Sequence, residues 1–137
     1  MNRHQARELA MKALYQMDVG RGDPHALLAY LGEEDAADGE TVARAGEIVE
    51  GVLAHRREID RTIAERSHDW PLERLAAVDR NILRVAVWEL LHCPDTPPPV
   101  AVDEAVELAK TYGGADSSRF VNGILGSLVR SLEPHHP

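Results

Sequence analysis

Cysteine is almost missing from this chain of 137 residues, with Cys93 its sole representative. One thiol excludes an intramolecular disulfide and a CxxC zinc motif, and it suits a reducing compartment. Aromatic residues are scarce at 4%, so any core must be built from aliphatic side chains. No run approaches the roughly eighteen consecutive apolar residues that a membrane-spanning helix needs. The first residues, MNRHQARELAMK, scatter charges where a secretory leader would carry an apolar run, which predicts a cytoplasmic protein with no membrane association. Positive charge is also in deficit. Against 23 acids stand 15 basic residues, thirteen Arg with Lys12 and Lys110, for a net charge of −8. Such a surface repels phosphates on average and confines any RNA site to a local patch.

The motifs of catalysis are equally absent. There is no GxGxxG or GxxxxGK loop, no GxSxG elbow and no HxxxH pair. Carboxylate pairs such as Asp103/Glu104 and Glu33/Glu34 read as solvent-facing, with nothing beside them to raise a pKa for acid catalysis. Neither an enzyme nor a cofactor is expected. Of the seven histidines, His92 precedes Cys93 but would need metal ligands from elsewhere that the sequence does not mark. His135 and His136 fall in an expected flexible tail at 133–137.

What the chain has is helical periodicity. The stretch LAAVDRNILRVAVWELL at 75–91 places Leu75, Val78, Ile82, Leu83, Val85, Ala86, Leu90 and Leu91 over more than half of a helix circumference. That breadth predicts the buried centre of the fold. Arg80, Asn81 and Arg84 fall together and read as a solvated strip. Asp79 and Glu89 project into the apolar half. They are either satisfied acids of the core edge or an exposed helix end that receives a partner.

Around this centre, Asn2 caps a first helix reaching about Asp18, with Arg3 and Arg7 one turn apart at the margin of its apolar face. Asp23-Pro24 opens a second helix. Residues 32–40, GEEDAADGE, read as a loop and the most mobile segment. Helices follow from Thr41 and around Ile59 and Ile63, and Trp70-Pro71 marks a boundary. The prolines of HCPDTPPPV stop the central helix. The next helix starts near Pro99 with a stripe of Val102, Ala105, Val106, Ala109 and Tyr112. The last is capped by Asp116 or Ser117, faces Val121, Ile124, Leu125, Leu128 and Leu132 inward, and contains Gly123 and Gly126, which suggest close backbone approach. The pattern predicts about seven helices and no sheet.

The segment DSSRFVN at 116–122 combines a helix start, hydroxyls at Ser117 and Ser118, a cation at Arg119 and a ring at Phe120, with Lys110 upstream. These parts suit single-stranded RNA, through amides and cations for phosphate and a face for base stacking. An ordinary capped helix start with an inward Phe120 accounts for the same residues.

RxxA at 3–6 with ALYQMD at 13–18, VDRNILRVAVWELL at 78–91, VAVDEAVELAKTYG at 100–113 and DSSRFVNGIL at 116–125 closely resemble the NusB family of bacterial transcription antitermination factors, in order and over nearly the whole chain. The resemblance implies an all-α fold of two packed three-helix subdomains, here 1–70 and 71–132. It implies a non-enzymatic role: together with the small-subunit ribosomal protein NusE, holding the single-stranded boxA element of ribosomal RNA leaders and joining RNA polymerase through other Nus factors. By motif matching, Arg3, Arg7, Lys110, Asp116, Ser117, Arg119 and Phe120 would meet RNA, and Tyr15, Asp79 and Glu89 would meet the basic partner. Many members carry a dense N-terminal arginine cluster. The His4-Gln5 pair between Arg3 and Arg7 therefore predicts weak RNA affinity without the partner. The resemblance also admits a homodimer through the RNA surface. Two other readings stay open: a helical protein-interaction module without RNA binding, and the detached N-terminal domain of a ribosomal RNA methyltransferase.

Overall fold

Three helices open on a side-chain cap. Asn2 Oδ1 accepts the Gln5 amide (2.9 Å), Asp23 Oδ2 that of Ala26 (3.0 Å) and Asp38 Oδ1 that of Thr41 (2.8 Å), each satisfying a donor the helix cannot. The computed structural model describes residues 1–68 and 70–133. Among them are α1 (Arg3–Val19), α2 (Pro24–Glu34), α3 (Gly39–Ala54), α4 (Arg56–Arg66), α5 (Ala77–His92), α6 (Pro98–Tyr112) and α7 (Ser117–Leu132), with a 3-10 turn at Leu72–Arg74 and no strand. The class is all-α, as the periodicity requires. No described helix is long and apolar enough to cross a membrane. The expected tail lies outside the described residues beyond Glu133.

The acidic stretch at 32–40 is shorter as a loop than its composition suggests. Helix α2 runs through Glu34, α3 begins at Gly39, and only residues 35–38 intervene. The acids are employed: Asp38 caps α3, and Asp35 accepts from Lys12 Nζ at 2.9 Å.

Helix α5 is the centre. Every residue from Asn81 to Glu89 is buried, with α1, α3, α4, α6 and α7 packed around it. Helices α1, α2 and α3 pack together, as do α5, α6 and α7; α4 precedes residue 70 in sequence yet lies on α5 and α7. Leu132 and Tyr112, expected inside, are 49% and 37% exposed, and Ala101 and Leu108 are buried on α6 in place of Tyr112.

Burial on all sides overturns the solvated strip. Asn81 and Arg84 are buried, and each polar group is met from a neighbouring helix. Asp18 of α1 accepts from Arg80 Nε (2.8 Å), Asn81 Nδ2 (3.0 Å) and Arg84 Nη1 (3.2 Å). Asp60 of α4 takes the Arg84 fork at 2.8 and 3.1 Å. Burial pushes the Asp18 carboxyl up, but the hydrogen bonds from Arg80 and Asn81 and the charge of Arg84 outweigh it and hold the group below the usual carboxylate value.

The other end of α5 is tied to α1 by a buried ion pair. Arg7 Nε lies 2.9 and 3.0 Å from the two Glu89 carboxylate oxygens, and Arg7 Nη1 is 3.7 Å from Glu104 of α6. Burial raises the Glu89 pKa, and the charge and hydrogen bonds of Arg7 pull it only part of the way back.

Gly123 and Gly126 do not mark a close approach: a Cβ at Gly123 meets nothing within 4 Å, and one at Gly126 meets only the Arg130 side chain, at 3.3 Å. The tightest contact among the described glycines is at Gly51, where a Cβ would fall 2.2 Å from Trp88 Cε2, with Gly113 next at 2.4 Å from Ser117 Cβ. Gly51→Ala is expected to cost about 1–3 kcal/mol by displacing the indole, whereas Gly123→Ala should gain about 0.5–1 kcal/mol from better helix propensity. Urea unfolding of both variants checks this, and the opposite order would refute the packing.

The ion pair makes a pH-dependent prediction. A carboxyl whose pKa is raised in the folded state contributes stability below its ordinary value and loses it as pH rises through the folded value. Removing Arg7 raises the Glu89 pKa further, so Arg7→Met should cost about 3–5 kcal/mol at high pH, where an ionised Glu89 is left unpaired. The cost should shrink toward pH 5 as Glu89 takes up a proton. Urea unfolding at pH 5 and pH 8 measures it; an equal cost at both would contradict the pairing.

Candidate nucleic-acid and partner interface

The N-terminal arginines part company. Arg3 is exposed and lines a groove of about 670 Å³ with Arg44, Trp88, His92 and Cys93. The Arg44 guanidinium sits 5.7 Å from the Trp88 ring centroid, a cation over an aromatic face. Arg7 is 5% exposed and committed to Glu89. Expected to meet RNA, it has protein carboxylates as its near partners, and withdrawing it would leave Glu89 uncompensated. The same pair buries Glu89, which was expected to meet the partner. At 2% exposure it offers a partner no surface.

Helix α1 meets the C-terminal part of the chain through side chains that bridge to α6. His4 Nδ1 bonds Glu104, and Tyr112 donates its hydroxyl to Glu8 Oε2 at 2.8 Å. Lys12 Nζ lies 5.4 Å from the Tyr112 ring centroid while bonded to Asp35. Burial and the hydrogen bond to Glu8 raise the Tyr112 pKa. Lys110, on the last turn of α6, is exposed and 3.7 Å from Glu107. This seam therefore gathers two cations, Lys12 and Lys110, with Glu8 and Glu107 at its Tyr112 end, and pairs His4 with Glu104 at the other. Lys12 belongs to it and escaped the sequence reading, because its partners lie 23 residues away at Asp35 and on another helix at Tyr112.

At the start of α7, Asp116 and Arg119 are exposed, Ser118 and Phe120 half-buried and Ser117 buried. The expected side-chain cap does not form: Asp116 makes no capping bond, and Ser117 Oγ accepts the Gly114 amide at 2.8 Å. Phe120 rests partly on the core, leaving part of its ring outside.

One cavity of about 300 Å³ joins the two groups of expected contacts. It is lined by Trp70, Leu75, Asp79, Asp116, Ser117 and Phe120, together with Arg74 and Ala76. Asp79 is 8% exposed, and its Oδ1 is buried without a hydrogen-bond partner. Trp70 is 54% exposed at the rim. A buried acceptor in that state costs about 1–3 kcal/mol unless a donor arrives. Tyr15 is half-buried on α1.

Comparisons agree with this architecture. A model of the NusB family matches residues 4–130. The transcription antitermination protein NusB of Symbiobacterium thermophilum is 50% identical over 97% of this chain and 92% of its own length. That of Pelotomaculum thermopropionicum is 47% identical over 100% and 95%. Among solved structures, T. maritima NusB superposes with a TM-score of 0.88 at 36% identity, covering 98% of this chain and 94% of that one. A complex of the antitermination factors NusB and NusE with double-stranded RNA matches with a TM-score of 0.84 at 29% identity, covering 94% and 96%. With the family pattern spanning all seven helices, the chain belongs to the NusB family.

Proposed function

We propose that this protein is a transcription antitermination factor that acts by binding rather than catalysis, in the cytoplasm, holding a boxA-type single-stranded RNA of ribosomal RNA leaders jointly with a NusE-type ribosomal protein. RNA polymerase joins through other Nus factors. The observation that carries this reading is the cavity shared by Asp79 and the start of α7. It offers an unpartnered carboxylate oxygen and an exposed Trp70 to a basic protein, with Phe120 in its lining and Arg119 next to it in sequence. The NusB of the solved complex has both kinds of partner, NusE and RNA. The relatives matched over more than nine-tenths of their length bear the antitermination name, which favours this reading over a methyltransferase domain.

In this reading Asp79 and Tyr15 face the ribosomal protein. Arg3, Lys110, Arg119 and Phe120 meet RNA, with Asp116 and Ser117 shaping the start of α7. Arg7 acts indirectly by holding α1 on α5. With a charge of −8, the isolated chain binds RNA weakly, and the basic partner contributes most of the electrostatic attraction. Linked binding then raises the apparent affinity of each component.

Fluorescence anisotropy of a boxA-like RNA, titrated with this protein alone and with the ribosomal partner at several salt concentrations, tests the reading. The expected result is weak binding alone and binding at least about tenfold tighter with the partner. Arg119→Ala should reduce the slope of log K against log salt by about one phosphate contact. Partner binding that leaves RNA affinity unchanged would instead make this a protein-interaction module.

A further inference from the structure

His92 ends α5 beside Cys93, and sequence alone supplies it with no companion ligand. The fold supplies two. His55 sits at the junction where α3 ends and α4 begins, and Glu58 lies one turn further in α4. The packing of α4 on α5 brings both to His92. The His55 and His92 rings stack with centroids 3.8 Å apart and planes inclined by 21°, and His92 Nε2 is 2.6 Å from Glu58 Oε1. One donor atom from each of the three lies within 4.8 Å of the others.

We propose that His55, Glu58 and His92 form a binding site for a zinc-class divalent ion, with water completing the coordination. Two imidazoles and one carboxylate are the donors such ions prefer, whereas Mg²⁺ and Ca²⁺ favour oxygen alone. Ligand bonds of about 2.0–2.2 Å in a tetrahedral site put donor atoms roughly 3.3 Å apart. The His92–Glu58 pair must open slightly and the donors of the stacked rings converge, small adjustments for side chains that are partly or largely exposed. The backbones stay fixed. Ile59, one residue beyond Glu58, is fully buried, and the His55 amide is bonded to Gly51 O at 3.2 Å.

Neighbouring charges leave the three ligands available. Asp60 is engaged by Arg84 and by Arg56 at 3.5 Å, so it competes neither for the ion nor for the histidines. Two neutral imidazoles and Glu58 reduce a dication to a net single positive charge, which a chain of charge −8 accommodates. Binding fastens the α3–α4 junction to the C-terminus of α5. Because His92 also lines the groove that holds Arg3, the ion would add positive charge to that rim.

Titration of the full chain with Zn²⁺ against a chromogenic chelator tests the site, with Mg²⁺ as the control metal and His25→Ala as the control substitution. The expected result is one Zn²⁺ in the micromolar range, no Mg²⁺ response, and an affinity lowered at least about tenfold by His55→Ala or His92→Ala. Zn²⁺ should raise Tm of the parent and of His25→Ala, but not of His92→Ala. Cu²⁺ added to the parent protein should selectively broaden the imidazole resonances of His55 and His92, a measurement independent of whether any variant folds. Binding undiminished in both variants, broadening confined to other histidines, or no Zn²⁺ uptake would overturn the proposal.

Discussion

A helix enclosed on every side must find partners for its polar groups within the protein, and α5 sets that condition for the whole fold. From Asn81 to Glu89 no residue reaches solvent appreciably, so each buried donor or acceptor left unmet would cost about 1–3 kcal/mol, and more for a charge. The neighbouring helices meet this requirement one group at a time. Asp18 of α1 serves Arg80, Asn81 and Arg84; Asp60 of α4 takes the Arg84 fork; Arg7 of α1 neutralises Glu89. Position, register and charge of the outer helices are therefore coupled through α5. A buried pair adds little net stability over an apolar one, but each of these pairs fits only one arrangement of its helices.

Among the described side chains of α5, compensation stops at one place. Asp79 occupies the first turn of α5, where the cover opens into the cavity beneath Trp70 and Phe120, and its Oδ1 has no partner. Two acids on one helix thus have opposite fates, decided by what faces them. The same accounting leaves the proposed RNA face few free cations. Of the two N-terminal arginines only Arg3 is free of a buried commitment, and the seam between α1 and α6 mixes Lys12 and Lys110 with Glu8, Glu104 and Glu107. A basic partner beside Asp79 would supply what this surface lacks.

Much of this was legible in the residues. The breadth of the apolar face at 75–91 marked the central helix, and Asn2 and Asp23-Pro24 marked helix starts, because these signals are local. What escaped was set by distant contacts. A helical wheel cannot distinguish a solvated Arg80–Arg84 strip from one answered by Asp18 and Asp60 on other helices. Glycine content pointed to Gly123, yet the tightest approach is at Gly51, since it depends on the Trp88 ring 37 positions away. Composition made 32–40 a loop, while Asp38 used one of those acids as a cap. Asp79 and the α7 start were each picked out separately, but only the fold places them on one cavity. His55 and Glu58 gave no signal beside His92 because the α4–α5 packing alone joins them.

The opposite roles of the two acids on α5 are most directly measured by calorimetric titration of a NusE-type ribosomal protein into the parent chain, Asp79→Asn and Glu89→Gln, with circular dichroism confirming that each is folded. The account predicts that Asp79→Asn weakens the complex about tenfold or more, the loss of a charge-assisted hydrogen bond, while Glu89→Gln leaves affinity unchanged and lowers only stability. Affinity lost with Glu89→Gln and kept with Asp79→Asn would contradict it.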